Sequence, residues 1–323
     1  MARRALITGA SGLLGREVFN AFKKDSHWET FGQGFTRAAP PEILKADLTS
    51  AAEIEKLMDE VRPHVVVHCA ANRFPDQCDT HPDLARKINV EATRALAETT
   101  AAKSILLIYI STDYVFAGRE GEAPYEADAP TEPPNIYGQT KRDGELAVLE
   151  ATRATGTGVI LRVPVLYGHA QSNSESAVNT LIDAVWKAQQ TGVPMDDWSQ
   201  RYPTNTEDVG RVCHDIAVRY LDEPAAAALP RVLQFSSEDK MTKFAMCERF
   251  ADILGLPLAG LERVQTGGTS GAGVQRPFDT HLSTRELRQL GIAVHTQDFV
   301  DWWYVHHYSS PYLRARVERH RVC

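Results

Sequence analysis

The chain lacks most of the features that mark secreted and membrane-bound proteins. Its 323 residues contain five cysteines and no CxxC pair, which favours free thiols in a reducing compartment over a disulfide framework. No apolar run is long enough to cross a bilayer, and the first predicted strand begins at Ala5, which leaves no room for a signal peptide. The net charge of -7 gives no reason to expect nucleic acid or an anionic membrane as a partner. We therefore expect a cytoplasmic protein.

Metal-ligand spacing is missing as well. Neither an HExxH motif nor a paired Cys/His spacing occurs in the sequence. The adjacent residues His306 and His307 are interpreted as a solvated helix end and not as a ligand pair. The sequence thus predicts no metal site.

Apolar, strand-like runs alternate with helical stretches over the first two-thirds of the chain. Runs of β-branched and aliphatic residues predict strands at Ala5–Thr8, Thr30–Phe35, Val65–Cys69, Ser104–Ser111 and Gly158–Val163. Helical patterns lie between them, at Leu14–Lys24, Ala52–Val61, Leu84–Ala102 and Tyr137–Ala154. This alternation predicts an α/β fold with a Rossmann-type, doubly wound parallel sheet.

The character of the sequence changes after Gly168. We expect residues 1–168 to form a dinucleotide-binding domain, with some later segments returning to it, and residues 169–308 to form a smaller, substrate-binding-like domain. Helices are predicted there at Ser176–Gln190, Glu207–Leu221 and Lys243–Leu254, with a Gly/Ser/Thr-rich loop at Thr266–Gly273. Residues 309–323 carry four arginines and are predicted to form an exposed basic tail.

Aromatic residues are concentrated near the end of the chain. Phe299, Trp302 and Trp303 have helical spacing and are predicted to pack the last helix on the core. Tyr308, Tyr312 and the tail arginines are the better candidates for contact with a partner, because aromatic and arginine side chains often anchor interfaces. A disordered basic terminus is the alternative interpretation.

A glycine-rich turn follows the first predicted strand. Gly9, Gly12 and Gly15 have GxxGxxG spacing. In a dinucleotide site these glycines allow a sharp turn, approach of the pyrophosphate, and close packing of helix on strand. The helix N-terminus then offers free N–H groups to the phosphates. A tight turn alone would also use glycines, but the position between strand and helix favours dinucleotide binding.

The end of the second predicted strand bears on the choice between NAD and NADP. An NAD site usually places an acidic residue there for the ribose 2′-hydroxyl. This chain instead reads Gly34-Phe35-Thr36-Arg37, without an acid. Arg37 would meet a 2′-phosphate through paired donors, so NADP is favoured over NAD, although a plain surface arginine would look the same.

A candidate catalytic set follows in chain order. Thr112 ends the fourth predicted strand, and Tyr137 and Lys141 lie four residues apart on one helix face. Thr112 would hydrogen-bond a substrate carbonyl, Tyr137 would act as the acid, and Lys141 would contact the nicotinamide ribose. Lys141 and an oxidised nicotinamide are expected to lower the pKa of Tyr137. A YxxxK pair also arises by chance, and only its order behind the glycine turn strengthens the interpretation.

These motifs together resemble the extended short-chain dehydrogenase/reductases, and Ser111–Phe116 (STDYVF) is similar to the dTDP-4-dehydrorhamnose reductases within them. A longer series of segments resembles the regulatory beta subunits of methionine adenosyltransferase. The more specific segments are Gln200–Thr204 (QRYPT), Met241–Lys243 (MTK) and Gln275–Pro277 (QRP). The resemblance runs from residue 5 to about residue 292.

The resemblance implies an NADP site and a substrate-like pocket containing Arg201 and Arg276. With the glycine turn, the implied cofactor residues are Gly9, Ser11, Gly12, Leu13, Leu14, Gly15, Phe35, Thr36, Arg37, Asp47, Leu48, Cys69, Ala70, Ala71, Arg73, Tyr137, Lys141 and Leu166. Two departures stand out. Thr36-Arg37 replaces two adjacent arginines of the beta subunits, and Val305–Cys323 does not resemble their C-terminal tail.

Two functions of different classes follow from the resemblance. In the first, the chain is an NADP-binding regulatory subunit that docks on a methionine adenosyltransferase catalytic subunit and modulates S-adenosylmethionine synthesis. In the second, it is an NADPH-dependent reductase of a keto-sugar nucleotide or another small carbonyl compound. The sequence-wide resemblance favours the first, whereas the intact set of Thr112, Tyr137 and Lys141 favours the second. Tyr137 and Lys141 would also be retained simply to hold the nicotinamide ribose.

Overall fold

The computed structural model describes residues 2–223, 228–267 and 274–307. The strands are β1 (Arg3–Thr8), β2 (Trp28–Gly34), β3 (Ile43–Lys45), β4 (Val65–His68), β5 (Leu106–Thr112), β6 (Gly158–Val163), β7 (Leu166–Tyr167), β8 (Val193–Asp196), β9 (Thr204–Asn205), β10 (Val232–Gln234) and β11 (Leu261–Val264). The α-helices are α1 (Leu13–Lys23), α2 (Ala51–Val61), α3 (Pro75–Thr80), α4 (Pro82–Arg86), α5 (Ala92–Ala102), α6 (Ile136–Ala151), α7 (Thr180–Lys187), α8 (Thr206–Asp222), α9 (Lys243–Leu254), α10 (Arg285–Gln289) and α11 (Phe299–His307).

The central sheet has seven parallel strands in the order β10-β6-β5-β4-β1-β2-β3. Helices α1 and α8 cover one face, while α2, α5 and α6 cover the other. The predicted Rossmann-type, doubly wound fold is confirmed. The strand order reverses between β1 and β4, which leaves a crevice at their carboxyl ends where ligands bind in such sheets.

Two predicted elements have different boundaries in the structure because of the local backbone conformation. The single helix predicted at Leu84–Ala102 is divided, because a π-helical turn at Lys87–Glu91 joins α4 to α5. The strand predicted from Ser104 begins at Leu106, because Ser104 takes a left-handed φ of 54° after the end of α5. The short strand β3 was not predicted, since three residues are too few to show a periodic pattern.

Segments after Gly168 contribute to both halves of the structure. Strand β10 pairs with β6 at the edge of the central sheet, and α8 packs on α1. A separate apolar core lies among α7, α9, α11, β8 and β11. The division of the chain into domains at residue 168 stays a prediction, with β10 and α8 as segments that return to the first half.

The last described helix belongs to this second core. Phe299, Trp302 and Trp303 are buried, which confirms their predicted packing role. His306 is partly buried and stacks on Trp302 at the end of α11, and the interpretation of His306 and His307 as a solvated helix end stays a prediction. Tyr308, Tyr312, the tail at 309–323 and residues 268–273 of the predicted loop lie outside the described residues. Over the described ranges, no helix combines the length and apolar character that a membrane crossing requires.

Candidate functional site

A cleft of about 430 Å³ opens at the carboxyl ends of β1, β4, β5 and β6. Of the sequence-predicted residues, it is lined by Gly9, Gly12, Leu13, Leu14, Gly15, Cys69, Ala71, Arg73, Thr112, Tyr137, Lys141, Leu166, Arg201 and Arg276. The structure therefore brings the glycine turn, the candidate catalytic set and both arginines of the substrate-like pocket to one site. Ser11, Phe35, Thr36, Arg37, Asp47, Leu48 and Ala70 do not line this cavity.

The glycine turn lies very close to neighbouring backbone segments. Gly9 has a φ of +64°, and a Cβ there would lie 2.9 Å from the backbone of Ala70. A Cβ on Gly15 would lie 2.1 Å from the Gly9 carbonyl oxygen, so this glycine is required for α1 to pack on the turn. A Cβ on Gly12 would meet the same oxygen at 3.2 Å, a far milder contact. Of the three glycines in the turn, Gly12 is therefore the one that packing requires least. It caps the N-terminus of α1 and lines the cleft.

Charged groups gather beside the turn, around Glu175. Arg16 donates to Glu175 with 2.6 Å between Nη2 and Oε2, and Arg37 donates to Oε1 of the same carboxylate. Burial alone would raise the pKa of Glu175, but the two guanidinium groups outweigh it and lower this pKa to about 2. The charge of Arg73 also interacts with these three groups. One carboxylate therefore faces three arginines, which leaves an excess of positive charge.

Glu175 was not identified from the sequence. It lies 138 residues from Arg37, in a short 3-10 turn between β7 and α7. Two other predicted cofactor residues, Phe35 and Asp47, have different surroundings from Arg37. Phe35 is 53% exposed, and the Asp47 carboxylate accepts from the backbone and hydroxyl of Thr49, which lower its pKa.

Lys141 lies beneath the cleft in a buried position. Its Nζ donates to the Ile110 carbonyl oxygen at 2.7 Å and lies 3.9 Å from the centre of the Tyr109 ring. Burial lowers the pKa of this ammonium to about 7. Lys141 is thus poised to lose its proton near neutrality, although an unperturbed lysine does so near pH 10.4.

The pKa of Tyr137 does not follow the expectation from sequence. Burial raises this pKa above its usual value, whereas Lys141 and a nicotinamide were expected to lower it. A hydrogen bond with Thr112 lowers this pKa, but burial outweighs it. In this arrangement Tyr137 keeps its proton, as a proton donor to a carbonyl must.

The predicted hydroxyl partner, Thr112, is held by its neighbours. Its Oγ1 donates to Asp113 Oδ1 at 3.0 Å, and it accepts from the backbone of Tyr114. Asp113 is itself buried, and Thr280 donates to its other oxygen at 2.6 Å. The single hydroxyl proton of Thr112 is therefore used by Asp113 in this structure, so the predicted hydrogen bond to a substrate carbonyl requires Thr112 to exchange that partner.

A further group of cations lines the cleft. Arg201 is buried and donates to the carbonyls of Gln200 and Pro277, but its Nη2 has no hydrogen-bond partner within the described ranges. Lys243, which begins α9, was not predicted as a site residue. Burial, and then the charges of Arg276 and Arg201, lower its pKa to about 8. Arg276 also lines the cleft but already donates to Asp76 at 3.2 Å. The unsatisfied buried donor of Arg201, with Lys243 beside it, suits an anionic ligand.

Cys69 follows β4 and lines the same cleft. Burial raises the pKa of its thiol to about 12, so the thiol stays protonated at neutral pH. Since the thiolate is the nucleophilic form, Cys69 is suited to packing and not to covalent chemistry.

The family model described as "RmlD substrate binding domain" matches residues 3–299. The chain belongs to the RmlD substrate binding domain family. It is 41% identical to methionine adenosyltransferase 2 subunit beta of Mus musculus over 91% of this chain and 84% of the relative. It is 37% identical to the dTDP-4-dehydrorhamnose reductase of Streptomyces griseus over 64% of this chain and 62% of that enzyme.

The fold agrees with this membership of the RmlD family. The crystal structure of dTDP-4-dehydrorhamnose reductase from Bacillus anthracis str. Ames, in complex with NADP, superposes with a TM-score of 0.78. It covers 96% of this chain and 99% of that chain at 23% sequence identity. The predicted resemblance to the extended short-chain dehydrogenase/reductases is confirmed at the level of family and fold.

Proposed function

We propose that this chain is an NADP-binding regulatory subunit that associates with a methionine adenosyltransferase catalytic subunit and modulates S-adenosylmethionine synthesis. The observation that carries the proposal is the extent of similarity. Identity to the mouse beta subunit is 41% and extends over 91% of the chain, whereas identity to the Streptomyces reductase is 37% over 64%. The similarity therefore includes segments of the second core as well as the nucleotide-binding half.

The charges beside the glycine turn support NADP as the cofactor. The turn and the start of α1 offer backbone N–H groups for the pyrophosphate. Arg16, Arg37 and Arg73 surround a single carboxylate, so an additional phosphate would find partners there. β2 ends at Gly34 and is followed by Phe35, Thr36 and Arg37, without an acid for an NAD ribose.

Association is tested by co-expressing the untagged full-length chain with a tagged methionine adenosyltransferase catalytic subunit from the same source. We expect the two chains to co-purify in a fixed ratio and to co-elute in size-exclusion chromatography. Assays of S-adenosylmethionine formation with and without this chain then measure modulation. Failure to co-purify, both with and without NADP, would contradict the regulatory function.

A reductase activity is the second candidate, and one observation favours it. Thr112, Tyr137 and Lys141 line the same cleft as the cations Arg201, Lys243 and Arg276. A carbonyl beside Tyr137 and a diphosphate near the cations would fit a keto-sugar nucleotide. In such a reduction Tyr137 would donate the proton to the carbonyl oxygen, and a bound nicotinamide would supply the hydride.

The Tyr137→Phe variant tests this second function. If the chain reduces a keto-sugar nucleotide, we expect turnover, followed by NADPH absorbance, to fall at least about 100-fold in the variant. Calorimetric titration should show that the variant still binds NADPH, because it loses one hydroxyl contact while the glycine turn and the arginines beside it, which would bind the phosphates, are unchanged. Equal turnover in both proteins would exclude Tyr137 as the acid.

A further inference from the structure

A cluster of metal-ligating side chains lies outside the cleft, where three separate segments of the chain meet. His169 follows β7, Glu207 lies in the first turn of α8, and His306 lies in the last turn of α11. Their ligating atoms all lie within 4.8 Å of one another. Because the three residues are far apart in the sequence, no pair spacing reveals them, and the sequence predicted no metal.

The tautomer of His306 is the first observation that points to a metal ligand. Its Nδ1 lies 2.7 Å from the Trp302 carbonyl oxygen, which only accepts hydrogen bonds. Nδ1 must therefore carry the proton, and in the neutral ring Nε2 keeps its lone pair. The Trp302 ring stacks on the imidazole with a centroid distance of 4.3 Å and fixes its plane. Metal-ligating histidines are usually oriented by a hydrogen bond of this kind from the other ring nitrogen.

The other two ligands are already placed side by side. His169 Nε2 and Glu207 Oε1 are 3.3 Å apart. Ligands about 2.1 Å from a tetrahedral zinc ion lie about 3.4 Å from each other, so this pair needs little movement. The backbone N–H of Glu207 is bound by the Asn205 cap at 2.8 Å, and Arg16 donates to the His169 carbonyl at 3.1 Å.

The cluster is accessible to an ion from solvent. The His169 side chain is 53% exposed and that of Glu207 is 33% exposed. The ligating atoms of these two residues therefore lie where an ion arriving from solvent could reach them.

We infer that His169, Glu207 and His306 form a binding site for a zinc-class transition-metal ion. Two imidazoles and one carboxylate suit zinc, cobalt, nickel or copper better than calcium or magnesium, which prefer oxygen ligands. A bound ion would connect α11 to α8 and to His169, the residue after β7 whose carbonyl oxygen accepts a hydrogen bond from Arg16. A water molecule would complete the coordination.

Zinc binding to the full-length protein, freed of any oligohistidine tag, is measured by competition with a chromophoric chelator. We expect one equivalent of zinc to bind to the site, and cobalt to give the visible absorption of a tetrahedral complex. The His169→Ala and His306→Phe variants should each bind zinc at least about tenfold more weakly and lose the cobalt spectrum. Phenylalanine keeps a ring that can stack on Trp302, so the second variant separates ligation from packing.

His81→Ala is the matched control, because His81 is exposed and lies outside the cluster. Its zinc affinity and cobalt spectrum should equal those of the wild type. Thermal unfolding without metal establishes that each variant is folded. The inference is overturned if no zinc binds, or if the zinc affinity is unchanged in both ligand variants, which would place the ion elsewhere in the chain.

Discussion

At the scale of single residues, the Arg37 side chain has two competing partners, one in the protein and one in the proposed ligand. In the structure it bonds to the Glu175 carboxylate, and in the proposed complex it would bond to the 2′-phosphate of NADP. Loss of a charge-assisted hydrogen bond costs about 1.5–3 kcal/mol, which corresponds to about tenfold or more in affinity. We expect Arg37→Ala to weaken NADP binding by this factor and to leave NAD binding nearly unchanged, as measured by calorimetry.

Arg94→Ala provides the control for Arg37, since Arg94 is a surface arginine that pairs with Glu150. It should leave the affinities for both dinucleotides unchanged. Equal losses of NADP and NAD affinity in Arg37→Ala would show that Arg37 acts through Glu175 and the turn, and not through a 2′-phosphate.

Lys141 makes the stability of the protein depend on pH above neutrality. Its pKa is about 7 in the folded protein, whereas an unfolded lysine titrates near 10.4. Between these values the unfolded chain binds the additional proton, so the free energy of unfolding rises with pH by up to about 1.4 kcal/mol per unit. Lys141→Met should remove this rise between pH 7 and 9 in urea unfolding.

Lys56→Met is a suitable comparison for Lys141→Met, because Lys56 is exposed on α2. Its free energy of unfolding should follow the wild-type pH dependence. If Lys141→Met also followed the wild-type curve, the Lys141 ammonium would have an ordinary pKa in the folded protein.

At the scale of elements, the start of α1 contains one glycine that packing requires, Gly15, and one that packing requires far less, Gly12. In Gly15→Ala the new methyl group would lie 2.1 Å from the Gly9 carbonyl oxygen, whereas in Gly12→Ala it would lie at 3.2 Å. We expect Gly15→Ala to lower the free energy of unfolding by about 1–3 kcal/mol. Gly12→Ala should stay near wild-type stability but bind NADP more weakly, since the methyl group occupies space that the pyrophosphate needs.

Urea unfolding and NADP titration of the two alanine variants measure both effects. Equal destabilisation by the two substitutions would mean that Gly12 is required by the fold. Unchanged NADP affinity in Gly12→Ala would show that the pyrophosphate lies elsewhere.

The elements that the sequence predicted are those with a local signal. β1, β4, β5 and β6 are runs of apolar residues, and the GxxGxxG and YxxxK motifs have fixed spacing, so periodicity and spacing identified them. Glu175 and Lys243 were missed because their roles arise from contacts with residues distant in sequence. The orientation of Lys141 toward Ile110 likewise depends on packing between α6 and β5, which spacing does not encode.

At the scale of the whole molecule, the cleft lies between two apolar cores. One core packs the central sheet against α1 and α8, and the other includes α7, α9 and α11. Residues from both halves, such as Thr112 and Lys243, line the cleft. A ligand that contacts both halves would therefore stabilise their relative arrangement.

The partner surface is expected at the end of the chain. Of the six aromatics near the C-terminus, Phe299, Trp302 and Trp303 are buried in the second core and are not available for contact. Tyr304 and Val305 are 60% and 64% exposed, which puts an apolar patch on α11 just before the tail that carries Tyr312 and four arginines. Exposed aromatic and arginine side chains of this kind are typical interface anchors.

Truncation after Tyr308 tests whether the tail is the anchor. The shortened chain keeps every residue of both described cores, so its melting temperature and NADP affinity should equal those of the full chain. Its co-purification with the catalytic subunit should fall at least about tenfold, because the arginines and Tyr312 are lost. Undiminished co-purification would place the contact on the folded body, and Tyr304→Ala in the full-length chain would then show whether the exposed face of α11 provides it.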